Sequence, residues 1–429
     1  MKKVLFFAVA IGALSVASGC GDNAGETELP AKGIVQETKK PVTLTIYPMV
    51  TIADEDFQKL FVDPVKKKHP HITLELIKRG KGNTLTELIM AGSPPDMNLI
   101  TQGGIPSLRS MDLLEDLTGH LKKHQVDLTR FDQAYIDAIK VTSDKGEIYA
   151  LPYTVNFNAL YYNKTIFNKF GVDFPKDGML WEDVIELAKK LTRTDAGVSY
   201  KGLDPEKIER LARPLSALTV DPATNKSLLQ SDKWRKTFEL ARAIYTIPGN
   251  EFKKGSLRSP FWTEQNIAML ATINIIPFLK EPTEQGLDWD LAQYPSYKEL
   301  PNVYGQVDGN YVMPLKTSKH MDDVIKVMDA VTSEEAQLIG ARQLGRQSPL
   351  KNPAIKKAIG QDMPHVKGKR IESIFKSVPA PYLPPALYDG KSSTVINEAL
   401  DLLLGGKDLN TVLHEAEEKH NKFLDEEKK

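Results

Sequence analysis

The apolar positions of this chain change their period along its length, and each change predicts an element. After the basic head Met1-Lys2-Lys3, residues 4–16 form an apolar run of about a dozen, too short to serve as a membrane-spanning helix. Residues 21–40 are polar with no apolar period and read as a flexible tether. From Val42 a strand–helix alternation begins. Residues 43–47 alternate with period two, as a strand does. Residues 56–68 place Phe57, Leu60, Phe61 and Val65 at helical spacing, and residues 72–77 predict a second strand. Leu85, Leu88 and Ile89 mark a second helix, ended by Gly92 and the Pro94-Pro95 pair. Residues 97–100 form a short apolar strand. Strands alternating with helices imply a mostly parallel sheet covered on both faces.

Further along, residues 146–153 predict a strand that ends at Pro152. Residues 181–191 predict a helix with Trp181, Val184, Ile185, Ala188 and Leu191 on one face. Short strands are expected near 266–275 and 305–313. The chain closes with an amphipathic helix from about Val395, a Gly405-Gly406 break and a charged last helix. There are no internal repeats.

Of the 429 residues, those left after the leader suffice for two lobes with full cores. No second apolar stretch approaches the ~20 residues a membrane span needs. Lys plus Arg and Asp plus Glu number 56 each, so the net charge is zero. That balance argues against nucleic acid as a partner and against steering towards a strongly charged ligand. Cys20 is the sole cysteine, which excludes disulfides, thiolate metal sites and a cysteine nucleophile from the body of the protein. It follows the small residues Ala17-Ser18-Gly19, and the four together resemble the lipobox of bacterial lipoproteins, with Ala17 where Leu is usual. That resemblance implies a signal peptide over 1–19 and two acyl chains anchoring Cys20. Two chains hold a protein to a membrane where one is marginal. The implied location is the extracellular face of the cell membrane.

Residues 146–171 run Gly-Glu-Ile-Tyr-Ala-Leu-Pro-Tyr, then Ala159-Leu160-Tyr161-Tyr162-Asn163-Lys164, Phe167 and the closing Gly171. This stretch resembles the family 1 extracellular solute-binding proteins of ABC importers, the maltose-binding-protein group. Further matching segments follow in the same order: Gly92-Ser93-Pro94-Pro95-Asp96, Leu113-Leu114-Glu115-Asp116-Leu117, Ile267-Ala268-Met269-Leu270, Ser318-Lys319-His320 and Glu334-Glu335-Ala336-Gln337. The chain departs from the family pattern at Leu180, where a capping Ser or Thr is usual, at Gln265-Asn266, and in the apolar loop 272–277.

The resemblance implies an α/β, two-lobed periplasmic-binding-protein fold of the class II type, with hinged lobes that each hold a mostly parallel central sheet. A tether would cover 20–41, the N-lobe 42–150 plus 308–350, and the C-lobe 151–307 plus 351–429. Crossings near 149–153 and 307–311 would serve as hinges. Ligand would sit at the carboxyl ends of the strands.

Sugars offer flat C–H faces and hydroxyls, which aromatic rings and planar polar groups recognise. By that resemblance the ligand-binding candidates are Tyr47, Thr51 and Asp54 after the first strand, and Thr101 and Gln102 after the third. Tyr153 and Asn156 follow from the first crossing, Phe261 and Trp262 from an aromatic pair, and Asn274 from the apolar loop. Gly309, Asn310 and Tyr311 come from the second crossing, and Tyr388 from the C-terminal region. Tyr153 and Tyr311 stand out because they end the crossing strands, whereas Tyr161 and Tyr162 read as packing residues. Carboxylates at 54–56 read as a helix N-terminus. His120 and His124 have helical ligand spacing, but no third ligand is near them in sequence. No cofactor, metal or catalytic residue is expected. The implied partners are a small carbohydrate and the permease subunits of an ABC importer, the protein itself being a monomer. Two other functions remain open at this point. One is an anchored carbohydrate hydrolase, which would need two carboxylates ~5–9.5 Å apart. The other is a chemosensory surface protein on the same fold.

Overall fold

A computed structural model describes residues 40–253, 258–383 and 392–426; Cys20, the leader and Tyr388 lie outside the described residues. The first sheet contains β1 (Val42–Pro48), β2 (Ile72–Leu76), β3 (Met97–Thr101), β4 (Leu151–Val155) and β11 (Gly309–Pro314), in the order β2-β1-β3-β11-β4. β1 runs parallel to β2 and β3, while β11 runs antiparallel to β3 and β4. Four of the five strands therefore point the same way. Their side chains alternate between two buried faces. Leu44, Ile46, Leu99 and Val312 face a core shared with Phe61, Val65, Val324 and Met328, while Tyr47, Ile100, Tyr311 and Met313 face Leu85, Ile105 and Leu108.

Two sequence expectations shift here. The helical run begins at Asp54 and passes through a π-helical turn, Gln58–Val62, before Asp63–Lys68. Pro64 lacks an N–H to donate one turn back, and the backbone widens just ahead of it. The strand expected to end at Pro152 instead starts at Leu151 and runs through it. β4 is an edge strand, where a missing donor is tolerated.

The second sheet holds β5 (Asn158–Asn163), β6 (Arg193–Asp195), β7 (Val198–Asp204), β8 (Ile267–Ile273) and β9 (Trp289–Gln293), in the order β6-β7-β8-β5-β9. Only the β7–β8 pair is parallel; the other three neighbouring pairs are antiparallel, so this sheet is mixed rather than mostly parallel. One cause is local. Ala196 and Gly197 both adopt positive φ, 46° and 80°, the two-residue geometry that closes a hairpin between β6 and β7. The helix Trp181–Leu191 covers the sheet with the five apolar residues expected, and Trp181 meets Tyr294 edge-on at 5.4 Å. In place of a Ser or Thr cap, the Asp183 carboxylate accepts from the Leu180 N–H at 2.9 Å.

The strand expected over 305–313 is two strands. β10 (Val303–Gln306) pairs with β12 (Val378–Ala380) in a small parallel sheet, and β11 joins the first sheet. The chain passes from the first sheet to the second at Asn156-Phe157 and returns at Val307-Asp308, the first crossing lying a few residues beyond the expected place. The two crossings touch through Asn156 N–H donating to Asp308 O at 2.9 Å. Val155 N–H also bonds Gln347 O at 3.0 Å, tying a third segment to the same place. The last helices, Ser393–Leu404 and Leu409–Glu426, pack beside Asp232–Tyr245 over the second sheet. Among the described residues no helix is long and apolar enough to cross a membrane.

Candidate functional site

A cavity of about 500 Å³ opens where β3 ends, beside the crossings, with second-lobe helices as its far wall. Thr101, Gln102 and Gly103 close it on the first-lobe side, and Asn156, Val307 and Asp308 bring the crossings into it. Lys207, Glu209 and Arg213 contribute from around the short helix Ile208–Ala212, and Trp234 and Ser393 from two longer helices.

The floor is fixed by a short relay. Buried Gln102 donates from Nε2 to the Tyr311 hydroxyl at 2.9 Å and accepts from the Gly309 N–H at 3.4 Å. The Tyr311 hydroxyl in turn donates to Tyr135 O at 3.3 Å. Two elements distant in sequence, β11 and the helix Gln133–Lys140, thus set the position of one amide.

The second-lobe wall is held by a buried ionic cluster. Glu206 sits in the left-handed region at φ 65°, and its N–H bonds the Asp204 carboxylate at 2.8 Å. Its own carboxylate accepts from Arg210 and Thr272, and from Arg258 through Nε at 3.0 Å and Nη2 at 2.8 Å. Burial alone would raise the pKa of Glu206, but the guanidinium of Arg210 and the hydrogen bonds outweigh it and pull the carboxyl down to about 2. This anchored turn presents Lys207 and Glu209 to the cavity. Burial, reinforced by the charge of Arg210, lowers the pKa of Lys207. Glu209 Oε1 accepts from the Ser393 hydroxyl at 2.7 Å. Glu209 Oε2 and Gln306 Nε2 are buried with no partner. Arg213 pairs with Asp308 at 3.4 Å, joining the wall to the second crossing. Trp234 commits its Nε1–H to Leu218 O at 2.8 Å, which leaves only ring surface to offer.

The expected residues divide. Thr101, Gln102 and Asn156 line the cavity, and Gly309 bonds Gln102 directly. Asn310 lies beside them, half-buried in β11. Tyr311 is a strut beneath the floor, fully buried. Tyr153 is sealed in the first-lobe core, edge-on to Phe61 at 4.9 Å, and Tyr47 is buried with Ile100 and Tyr311. Thr51 and Asp54 are exposed beyond β1 and stand outside the cavity lining. Phe261 is fully buried and Trp262 half-buried, neither on the lining. Asn274 is a structural amide, donating to Gly345 O at 2.8 Å and accepting from Ile276 N–H at 3.1 Å. Sequence reasoning missed Lys207, Glu209, Arg213, Trp234 and Gln306. The first three sit in a charged helical stretch that reads as a solvated face; Pro205 just ahead of it, following β7, was the available signal of a turn at a strand's carboxyl end. Neither histidine of the helical pair pairs with the other: His120 contacts Glu115 and His124 contacts Asp322.

Two α/β lobes, joined by adjacent crossings and enclosing a polar cavity at their junction, define a two-lobed binding-protein fold. Residues 50–338, well over half of the chain, match the family model for the bacterial extracellular solute-binding proteins, and the chain belongs to that family. An uncharacterized ABC transporter extracellular-binding protein of Pyrococcus horikoshii is 29% identical over 212 residues, which is 44% of this chain and 44% of that one. The aligned stretch therefore spans less than half the length of this curated relative. Among solved structures, the ABC substrate-binding protein of Listeria monocytogenes in complex with cycloalternan superposes with a TM-score of 0.72 at 19% identity, over 90% of this chain and 99% of that one. A sugar transporter of Rhizobium etli in an open conformation gives a TM-score of 0.71 at 21% identity, over 88% and 99%. At these identities the likeness is one of fold.

Proposed function

We propose that this protein is the solute-binding component of an ABC importer, which captures a sugar or oligosaccharide between its lobes and hands it to a membrane permease. The observation that carries this reading is the interlobe cavity, walled by hydrogen-bonding side chains from both lobes and both crossings. Such groups recognise ligand hydroxyls, and exclusion of water on lobe closure strengthens each bond. Membership of the solute-binding family and the sugar-binding neighbours in fold support the ligand class. In this reading the first lobe runs from Val42 to the first crossing and resumes at β11, with the second lobe between the crossings and over the C-terminal helices. The protein acts as a monomer without catalysis. Cys20, after cleavage and lipidation, would keep the receptor on the outer face of the membrane, within reach of its permease.

A thermal-shift screen over mono- and oligosaccharides, polyols and amino acids tests the ligand class. A ligand that binds only the folded state stabilises it by RT ln(1 + [L]/Kd). At least one carbohydrate should raise the melting temperature in a saturable way. A shift by amino acids alone would overturn the assignment.

A further inference from the structure

Three alternate residues at and just beyond the end of β8 engage three different partners. The Thr272 hydroxyl donates to Glu206, the carboxylate that holds the second-lobe wall. Asn274 Nδ2 donates to Gly345 O at 2.8 Å. Gly345 leads into a segment tied to the first lobe, where Gln347 O accepts from Val155 N–H at 3.0 Å and Pro349 O from Asp132 N–H at 2.9 Å. Ile276 O accepts from His365 Nε2 at 3.1 Å. The packing is close, since a Cβ on Gly345 would lie 2.9 Å from Ile276 Cγ2. The strand end therefore links the cavity wall to the first lobe, and His365 holds its far end.

His365 can do so in one protonation state only. A carbonyl accepts, so Nε2 carries the proton and Nδ1 is bare. Nδ1 is buried with no hydrogen-bond partner. A second proton would make it a buried donor without an acceptor and leave an unpaired charge inside the protein. The charged groups around the ring are Lys280 and Glu284, both exposed on the helix Lys280–Glu284, and Lys369. Lys369 is itself paired with Asp288 at 3.5 Å. Burial lowers the pKa of His365, against the pull of the bond to Ile276 O; the two lysines add to the lowering and Glu284 opposes it.

We infer that His365 is a positioning residue for the cleft: neutral, it fixes the end of β8 and through it the ligand wall; protonated in mildly acidic surroundings, it releases both, and ligand is held less tightly. A wall ordered before the ligand arrives spares binding the cost of ordering it. Any ligand held by that wall would respond, whatever its class. The sign follows from linkage. The ordinary histidine value is 6.5 and the folded-state value lies below it. The support is therefore complete above pH ~6.5 and is lost progressively as the pH falls below that.

The test compares the full mature chain, wild type, with His365→Gln. Glutamine keeps an amide donor for Ile276 O and does not titrate. Both ligand-free proteins are followed by hydrogen exchange with mass spectrometry at pH 7.5 and 5.5, corrected for the intrinsic rate. Peptides covering 204–210 and 272–276 should exchange at least ~3-fold faster at pH 5.5 in wild type, the factor for half a pKa unit, and not in the variant. Asp204, whose pKa burial raises in the same wall, titrates in both proteins, so their difference isolates His365. Titration calorimetry adds cycloalternan, maltotriose and mannotriose, all neutral. The wild-type Kd of each sugar that binds should weaken by at least ~3-fold from pH 7.5 to 5.5, with the variant unchanged. An equal pH response in the two proteins, or none in wild type, overturns the role of His365. If His365→Gln does not fold, wild type decides: faster exchange confined to the two peptides supports the role, and unchanged exchange at 272–276 overturns it. A wild type that binds none of the three sugars counts against the carbohydrate reading, and the exchange result still decides His365.

Discussion

Gln102 and Tyr311, 209 positions apart in sequence, meet in a buried hydrogen bond of 2.9 Å from the amide nitrogen to the phenol oxygen. The tyrosine lies below the cavity and the glutamine lines it, so one residue aims the other. Tyr311→Phe keeps the ring but leaves the Gln102 amide bare. Stability should fall by about 1–3 kcal/mol, read as a lower urea midpoint at unchanged slope. Ligand affinity should fall as well, through a misplaced Gln102. Unchanged affinity would show that the phenol is packing alone.

The Glu206 cluster makes a prediction in acid. The folded-state pKa of this carboxyl, about 2, lies below its ordinary value of 4.5. The unfolded chain therefore binds the extra proton first, and the stabilisation is complete above pH ~4.5 and is lost as the pH falls towards 2. By linkage it amounts to about 3 kcal/mol. Glu206→Gln should lower neutral-pH stability by a similar amount, since Arg210 and Arg258 keep their charge without the carboxylate. It should also flatten the stability-against-pH curve between pH 4.5 and 2. Urea unfolding of both proteins at pH 7 and pH 3 measures the difference. An equal pH dependence in the two would remove Glu206 as its source.

Two glycines should respond in opposite directions to the same change. A Cβ on Gly202 would lie 2.2 Å from Ala188 O, where β7 passes under the helix Trp181–Leu191. Backbone cannot yield there, so Gly202→Ala should cost about 1–3 kcal/mol or more. Gly119 lies in the helix Thr118–Lys123 with nothing within 4 Å of such a Cβ. Gly119→Ala should stabilise by about 0.5–1 kcal/mol. Melting curves of the two variants decide both.

The proposed lipid anchor at Cys20 would separate location from recognition. Cys20→Ser should release the protein from the membrane fraction and impair uptake in cells, while the purified protein binds sugar as wild type does. Loss of binding by the purified variant would contradict that division.

Much of the architecture is written locally. Period-two and helical patterns located β1, the Trp181–Leu191 helix and the C-terminal pair of helices, and a short apolar run located β3, because each buries a set of apolar side chains wherever it packs. The segments around Tyr161-Tyr162 carried the resemblance to solute-binding proteins. The balanced charge and the absence of thiols beyond Cys20 were likewise plain from composition.

The site was legible only where a strand end or crossing exposes one small polar group, as at Thr101, Gln102 and Asn156. Aromatic residues misled, because a tyrosine at a strand end can face either side. Tyr153 and Tyr311 turn into the core, where ring burial outweighs a wet hydroxyl, and their neighbours Asn156 and Asp308 reach the cavity instead. The charged wall could not be read either. In sequence, Lys207, Glu209 and Arg213 look like a solvated helix face. Glu206, bonded to Arg210, Arg258 and Thr272 across up to 66 positions, turns that helix to the cleft. Sequence by itself determined the strands and helices with a clear period of two or 3.6, such as β1 and the Trp181–Leu191 helix, but not β6, β7 or β9. Only the tertiary structure decided which polar groups line the cavity, since that depends on pairings between residues far apart in the chain.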